Sequence, residues 1–376
     1  MRGGSSQPSE RKPEMTRFTT RSADPLRAMH DVRSIAVLGI AVLMSACATP
    51  PAVPLSVDVP AGVGDGRARF TEIYCSVLQE RGDELPDYRP CAEALSNVAS
   101  QPRGTGMPVD LGPSRLALQA MIVPGLGYAC IAPWLQPPAT PREHVARFGY
   151  EAQMVAVDAL SGTTKNAHQI RDAIMALPRE SGPPRVVLVG YSKGAPDALE
   201  ALVRYPELGE RVVAFVSVAG AVGGSALADD ATQHQANFFR HWPGADCDAG
   251  DGGAVASLRT DVRKAWLAAN RLPPGIRLYS LVTLPDANRI SAALVPTHRQ
   301  LAKIDPRNDG QVVYGDQIVP GGTLLGFLNA DHWAVVMPID RSHRLLGSTL
   351  VTHNDYPREA LLEALLRYVE EDLAAE

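Results

Sequence analysis

Residues 185–204 read RVVLVGYSKGAPDALEALVR, and this stretch decides the fold. Arg185–Val189 is a short β-branched run, after which Ala198, Leu199, Leu202 and Val203 recur at helical spacing. Between them stands Gly190-Tyr191-Ser192-Lys193-Gly194, a G-x-S-x-G pattern in the strand–turn–helix context that gives it meaning. So tight a turn leaves no room for side chains two residues before or after the serine, hence glycine at both positions. The serine then projects above the strand end. Its neighbouring N–H groups lie at a helix N-terminus, whose partial positive charge suits a developing oxyanion. The competing reading is a structural turn with an idle serine.

Outward from this turn, short apolar runs alternate with helical patterns. Leu116–Val123, Gln153–Leu160, Val212–Val218, Arg277–Val282 and Leu324–Leu328 read as strands, and 166–177 and 357–373 as helices. In 357–373, Leu361, Leu362, Leu365, Leu366, Val369 and Leu373 fall at helical spacing after Asn354 and Asp355 as caps, which predicts a closing helix packed on the sheet. The alternation predicts an α/β fold with a mostly parallel central sheet and helices on both faces. Residues 222–272 interrupt it with Phe238, Phe239, Trp242, the stretch DCDAGDGG and a helix from about Ser257 to Ala269. An insertion of that kind is expected to form a lid or cap.

With the turn in place, the chain resembles the α/β-hydrolase superfamily, and most closely its lipase and esterase branches. The resemblance runs from about Leu116 to the C-terminus. It rests on Val123-Pro124-Gly125-Leu126-Gly127, the serine turn, Ser217–Ser225 (SVAGAVGGS), and the pairing of Asn308-Asp309-Gly310 with Asp331-His332-Trp333. Pro124 stands where many lipases have histidine. The resemblance implies the order serine, acid, histidine along the chain.

A serine hydroxyl needs a base, and the imidazole that serves needs a carboxylate to orient it. His332, directly after the last strand, is the candidate base. His298 precedes that strand and His343 and His353 lie well beyond it, so these are expected at the surface or beside helices. His144, His168, His234 and His241 are out of order, although His234 and His241 could line a lid. Asp309, in the loop DPRNDGQV, is the first candidate for the acid; Asp286 is the second, ahead of Asp305, Asp316 and Asp331. Oxyanion stabilisation is assigned to the backbone N–H of Lys193 and, by the resemblance, to that of Leu126. The Lys193 side chain is read as solvated and given no chemical role.

The N-terminal 46 residues read as an address. Met29–Cys47 (MHDVRSIAVLGIAVLMSAC) has a charged start, ten apolar residues and small residues before a cysteine. Ten helical residues span ~15 Å, too short to cross a bilayer. The end resembles a bacterial lipobox, which implies lipidation of Cys47, and Ala48 resembles the pattern for sorting to the outer membrane. The expected location is therefore the cell envelope, lipid-anchored and facing the periplasm, with simple secretion as the alternative. Residues 47–66 read as a Pro/Gly/Ala-rich tether and 67–376 as the catalytic domain. Export would leave Cys75, Cys91, Cys130 and Cys247 in an oxidising compartment. Of three possible pairings, Cys75–Cys91 with Cys130–Cys247 is favoured.

Composition excludes little on its own: 45% hydrophobic, 20% charged, formal charge −5. Without residues 1–46 the chain keeps 29 Lys/Arg against 37 Asp/Glu. An acidic body without a basic block gives no support for nucleic-acid binding, and membrane attachment would have to come from the lipid. No metal motif or dinucleotide fingerprint occurs, DCDAGDGG is read as a solvated loop, and no cofactor is expected. The sequence thus predicts a serine carboxylic-ester hydrolase working through an acyl-enzyme on Ser192, Asp309 and His332, with a small-molecule or lipid ester as substrate. A catalytically idle envelope lipoprotein used for binding is the rival. Peptide, thioester and polyester bonds are alternative targets, because the fold hosts them all.

Overall fold

The computed structural model describes residues 59–96, 102–135, 137, 140–178, 185–232, 245 and 247–375. Seven strands form one sheet: β1 (Gly64–Asp65), β2 (Gln119–Val123), β3 (Glu151–Met154), β4 (Val186–Tyr191), β5 (Val212–Val218), β6 (Arg277–Thr283) and β7 (Thr323–Leu328). Their order is β1-β7-β6-β5-β4-β2-β3, and every neighbouring pair is parallel.

Alternation along the strands feeds two cores. Val187, Val189 and Tyr191 of β4 and Ala214, Val216 and Val218 of β5 pack with the Arg67–Arg81 and Arg358–Ala374 helices. Val186, Leu188, Val212 and Phe215 face the opposite way, onto the Thr163–Met175 and Gly194–Arg204 helices. Both faces are covered, so the strands carry near-continuous apolar runs. This is the α/β-hydrolase fold. The direction in which the sheet is built reverses between β2 and β4. In open α/β sheets the ligand crevice lies outside the strand ends at such a switch point, and here that is where Pro124–Gly127 and Ser192 emerge.

Several local expectations are corrected. The third strand is Glu151–Met154 rather than 153–160. Edge strand β3 pairs only with β2, and after Val155, whose N–H still donates to the Ile122 carbonyl, the chain leaves the ladder and Leu160 packs into a separate apolar cluster with Leu126 and Cys130. The stretch read as a tether ends in structure: Gly64 and Asp65 pair with β7, and the Gly66 N–H donates to the Leu324 carbonyl. The helix at 358–374 carries no side-chain cap from Asn354 or Asp355. Asn354 instead accepts from the Arg358 guanidinium. Disulfides join Cys75 to Cys91 and Cys130 to Cys247. Cys47, the export segment and Phe238, Phe239, Trp242, His234 and His241 lie outside the described residues.

Candidate active site

The serine turn is built by steric exclusion. A Cβ on Gly190 would lie 2.5 Å from Ala195 Cα, and one on Gly194 would lie 2.1 Å from the Val123 carbonyl oxygen. With both absent, β4 runs into the helix in two residues. Ser192 takes φ 54°, a left-handed backbone that costs a non-glycine residue ~1–3 kcal/mol and persists only where its surroundings enforce it. The enforcement is visible. Ser192 N–H donates to Val218 O at 3.3 Å, and its carbonyl accepts from Ala195 at 3.1 Å and Ala221 at 3.0 Å.

Ser192, His332 and Asp309 are hydrogen-bonded in series. Ser192 Oγ lies 2.8 Å from His332 Nε2, and His332 Nδ1 lies 2.7 Å from Asp309 Oδ2. The imidazole is buried and held from behind: Tyr191 Oη donates to the His332 carbonyl at 2.7 Å, and His332 N–H donates to the Asp309 carbonyl at 3.0 Å. The preceding Asp331 fixes the turn by accepting from the Ser291, Trp333 and Ala334 N–H groups. Its complete burial nevertheless pushes its carboxyl above the usual range.

Asp309 is fully buried and saturated with donors. Oδ1 accepts from the N–H groups of Gln311 at 2.9 Å and Val312 at 2.8 Å. Oδ2 accepts from Thr283 Oγ1 at 2.5 Å and Gln317 Nε2 at 3.3 Å as well as from the imidazole. Thr283 and Gln317 escaped the sequence reading. The only signal was a threonine closing the strand RLYSLVT, in which Tyr279 and Ser280 already carry hydroxyls, and Gln317 has none. The other carboxylates go elsewhere: Asp286 accepts from Asn329, Asp305 pairs with Arg307 and Asp316 with Lys264.

Leu126 and Lys193 flank Ser192 from the ends of β2 and β4. Among the described residues, neither backbone N–H has a protein acceptor. The Lys193 side chain departs from expectation. It is buried rather than solvated, with Nζ 2.7 and 2.8 Å from the two carboxylate oxygens of Asp197. The reason is helical geometry: residues four apart share a face, and that face packs inward. His298, expected at the surface or beside a helix, is buried within the Val295–Leu301 helix. Burial holds its imidazole below the ordinary histidine value.

A cavity of about 260 Å³ opens over Ser192 and His332, lined by Leu126, Tyr128, Leu227, Val255, Leu258, Trp333 and Met337 among others. Its wall on the insertion side belongs to the 222–272 segment. There Ser225 caps the Ala226–Asp230 helix and donates to the Gln311 carbonyl at 2.6 Å. The Cys130–Cys247 bridge ties the same segment to the Tyr128–Ile131 turn beyond Leu126. The arrangement offers a hydroxyl, an oriented imidazole and two unengaged N–H groups around one mostly apolar pocket.

No family model matches the chain, and no curated protein matches it. Among solved structures, a metagenomic carboxyl esterase is similar over 89% of this chain and 99% of its own, at 41% identity and a TM-score of 0.78. The lipase BlEst2 of Bacillus licheniformis aligns at 22% identity and a TM-score of 0.48, covering 65% of this chain and 95% of its own. The Staphylococcus hyicus lipase aligns at 12% and 0.48, over 72% and 100%. On the 41% identity across nearly the whole length of both chains, this protein belongs to the carboxyl esterases of the α/β-hydrolase fold.

Proposed function

We propose that this chain hydrolyses carboxylic esters through an acyl-enzyme on Ser192. The observation that carries the reading is the unbroken series Ser192 Oγ–His332 Nε2 at 2.8 Å and His332 Nδ1–Asp309 Oδ2 at 2.7 Å. With Asp309 accepting at Nδ1–H, the free lone pair of the imidazole faces the hydroxyl. Ser192 Oγ attacks the ester carbonyl as its proton moves to Nε2. The resulting oxyanion accepts from the N–H groups of Lys193 and Leu126. Collapse breaks the bond to the alcohol, which leaves with the proton from Nε2. Water, activated by the same nitrogen, then releases the acid and restores the serine.

The cavity lies below the ~300–1,000 Å³ range of drug-sized pockets, which favours esters of short acyl chains over long ones. A series of p-nitrophenyl esters tests this: turnover should peak at short chains, and a maximum at palmitate would overturn the chain-length reading. A fluorophosphonate probe tests the chemistry. Labelling should occur at Ser192 and vanish in Ser192→Ala, with kcat falling about 10⁴–10⁶-fold. A folded protein that takes no label would favour the idle binding protein.

Lipid attachment at Cys47 is a separate proposal supported by the sequence alone. Metabolic labelling with an alkyne fatty acid should mark the wild type and not Cys47→Ser.

A further inference from the structure

The residue after Ser192 carries more than a backbone N–H. Lys193 and Asp197 form an ion pair in which both side chains are about 1% exposed. Asp197 also accepts at 2.7 Å from Asn166 Nδ2, and the same amide nitrogen donates to the Asp158 carbonyl at 3.1 Å. Stability does not account for such a pair. Desolvating two ions offsets most of their attraction, and apolar side chains of similar volume commonly pack as well. What apolar side chains cannot supply is direction, because two charge-assisted bonds hold an ammonium at one point.

We propose that the Lys193–Asp197 pair is a positioning device for the oxyanion-binding N–H of Lys193 and, through the shared turn, for Ser192 Oγ; this rests on the ester-hydrolysis reading above. The turn needs such a device. The Lys193 N–H lies antiparallel to the Ser192 carbonyl across one planar peptide, and that carbonyl accepts from Ala195 of the helix and from Ala221. The direction of the N–H therefore follows the first turn of the Gly194–Arg204 helix, which the Lys193–Asp197 pair fastens to the serine turn and whose Gly194 packs directly on the Val123 and Pro124 carbonyls. A tilt of the Gly194–Arg204 helix would displace the Lys193 N–H and press on the Pro124–Gly127 loop that carries Leu126.

Charge gives the pair a second use. Asp197 sits in the first turn of the helix whose N-terminal end faces the cavity. A lone carboxylate there would oppose negative charge developing on the substrate. The Lys193 ammonium cancels it at contact distance. Arg263, buried above the Trp266 ring with Nε donating to the Val222 carbonyl at 3.2 Å, adds a weaker attraction to the same carboxylate.

The test compares wild type with K193M/D197L, which removes both charges and leaves neither ion stranded, and with D197N. Melting temperature should stay within a few degrees of wild type for the double variant. On p-nitrophenyl butyrate, its kcat should fall roughly 10–100-fold, with KM changed less than about threefold; losing an oxyanion donor outright costs ~10²–10³. Affinity for a trifluoromethyl ketone, which adds to the serine and bears an oxyanion, should fall by the same factor as kcat. D197N should fall in kcat in the same direction. A double variant within twofold of wild type in kcat overturns the proposal. So does native kcat per fluorophosphonate-titrated site, which would assign the loss to unfolded molecules. S192A separates the two readings. Full turnover in S192A ends the reading of an acyl-enzyme on Ser192, whereas an inactive S192A beside an unimpaired double variant ends only the positioning role.

Discussion

Asp309 shows how a single carboxylate is held for one task. Four donors besides the imidazole fix both of its oxygens, so its side chain has one orientation available. Of these, Thr283 Oγ1 at 2.5 Å is the contact that a small substitution can remove. A hydrogen bond to a charged group contributes about 1.5–3 kcal/mol, and about 1.4 kcal/mol is tenfold in rate. Thr283→Val should therefore fold normally and lose about one order of magnitude in kcat/KM, measured from initial rates on a short p-nitrophenyl ester. Unchanged kinetics would mean that the Gln311 and Val312 N–H groups orient the acid unaided. The position of Asp309 in a DPRNDGQV loop was legible as a turn with a carboxylate. Its donors were not, since Thr283 lies 26 residues away on β6 and Gln317 belongs to a short 3-10 turn.

At the scale of elements, the C-terminal helix was legible almost to the residue, because its leucines repeat at the helical period and face a core. Its charges were not. Glu363 is fully buried and accepts from His144 Nε2 at 2.6 Å and Arg367 Nε at 2.8 Å. Burial pushes its carboxyl upward, but the His144 bond and the Arg367 guanidinium outweigh burial and hold it below the usual value. A folded value below the unfolded one means that this stabilisation is fully present above about pH 4.5 and is lost as pH falls through the folded value. Glu363→Gln should cost about 3–5 kcal/mol at pH 7 by leaving cations unpaired. The gap to wild type in urea midpoints should close as pH drops from about 4.5. A gap that stays constant to low pH would assign the cost to packing instead. The Arg67–Arg81 helix carries the same periodic signal as the C-terminal one. Phe70, Ile73, Tyr74, Val77 and Leu78 stand at helical spacing just beyond the proline-rich stretch.

At the scale of the whole molecule, the two disulfides do different work. Cys75–Cys91 closes a sequence separation of 16 within one local segment, and Cys130–Cys247 closes 117 across the cavity wall. Loop-closure entropy predicts about 3 kcal/mol for the first and nearly 5 for the second. Cys130→Ala/Cys247→Ala should thus lose more stability in urea than Cys75→Ala/Cys91→Ala. It should also lose turnover, because Cys130 belongs to the turn beyond Leu126 and Cys247 to the insertion. Equal stabilities with unchanged kcat in both variants would reduce the second bridge to a plain staple.

By itself, the sequence determined the strand–turn–helix at Ser192 and the two-sided parallel sheet. These follow from local sterics and from hydrophobic period, which act over a few residues. Only the tertiary structure decided which carboxylate meets His332, where Thr283 and Gln317 are spent, and that Lys193 turns inward to Asp197. Those outcomes depend on contacts between residues distant along the chain, or on which face of a helix is buried. A linear pattern carries no distance, and without distance a buried ion pair and a solvated one read alike.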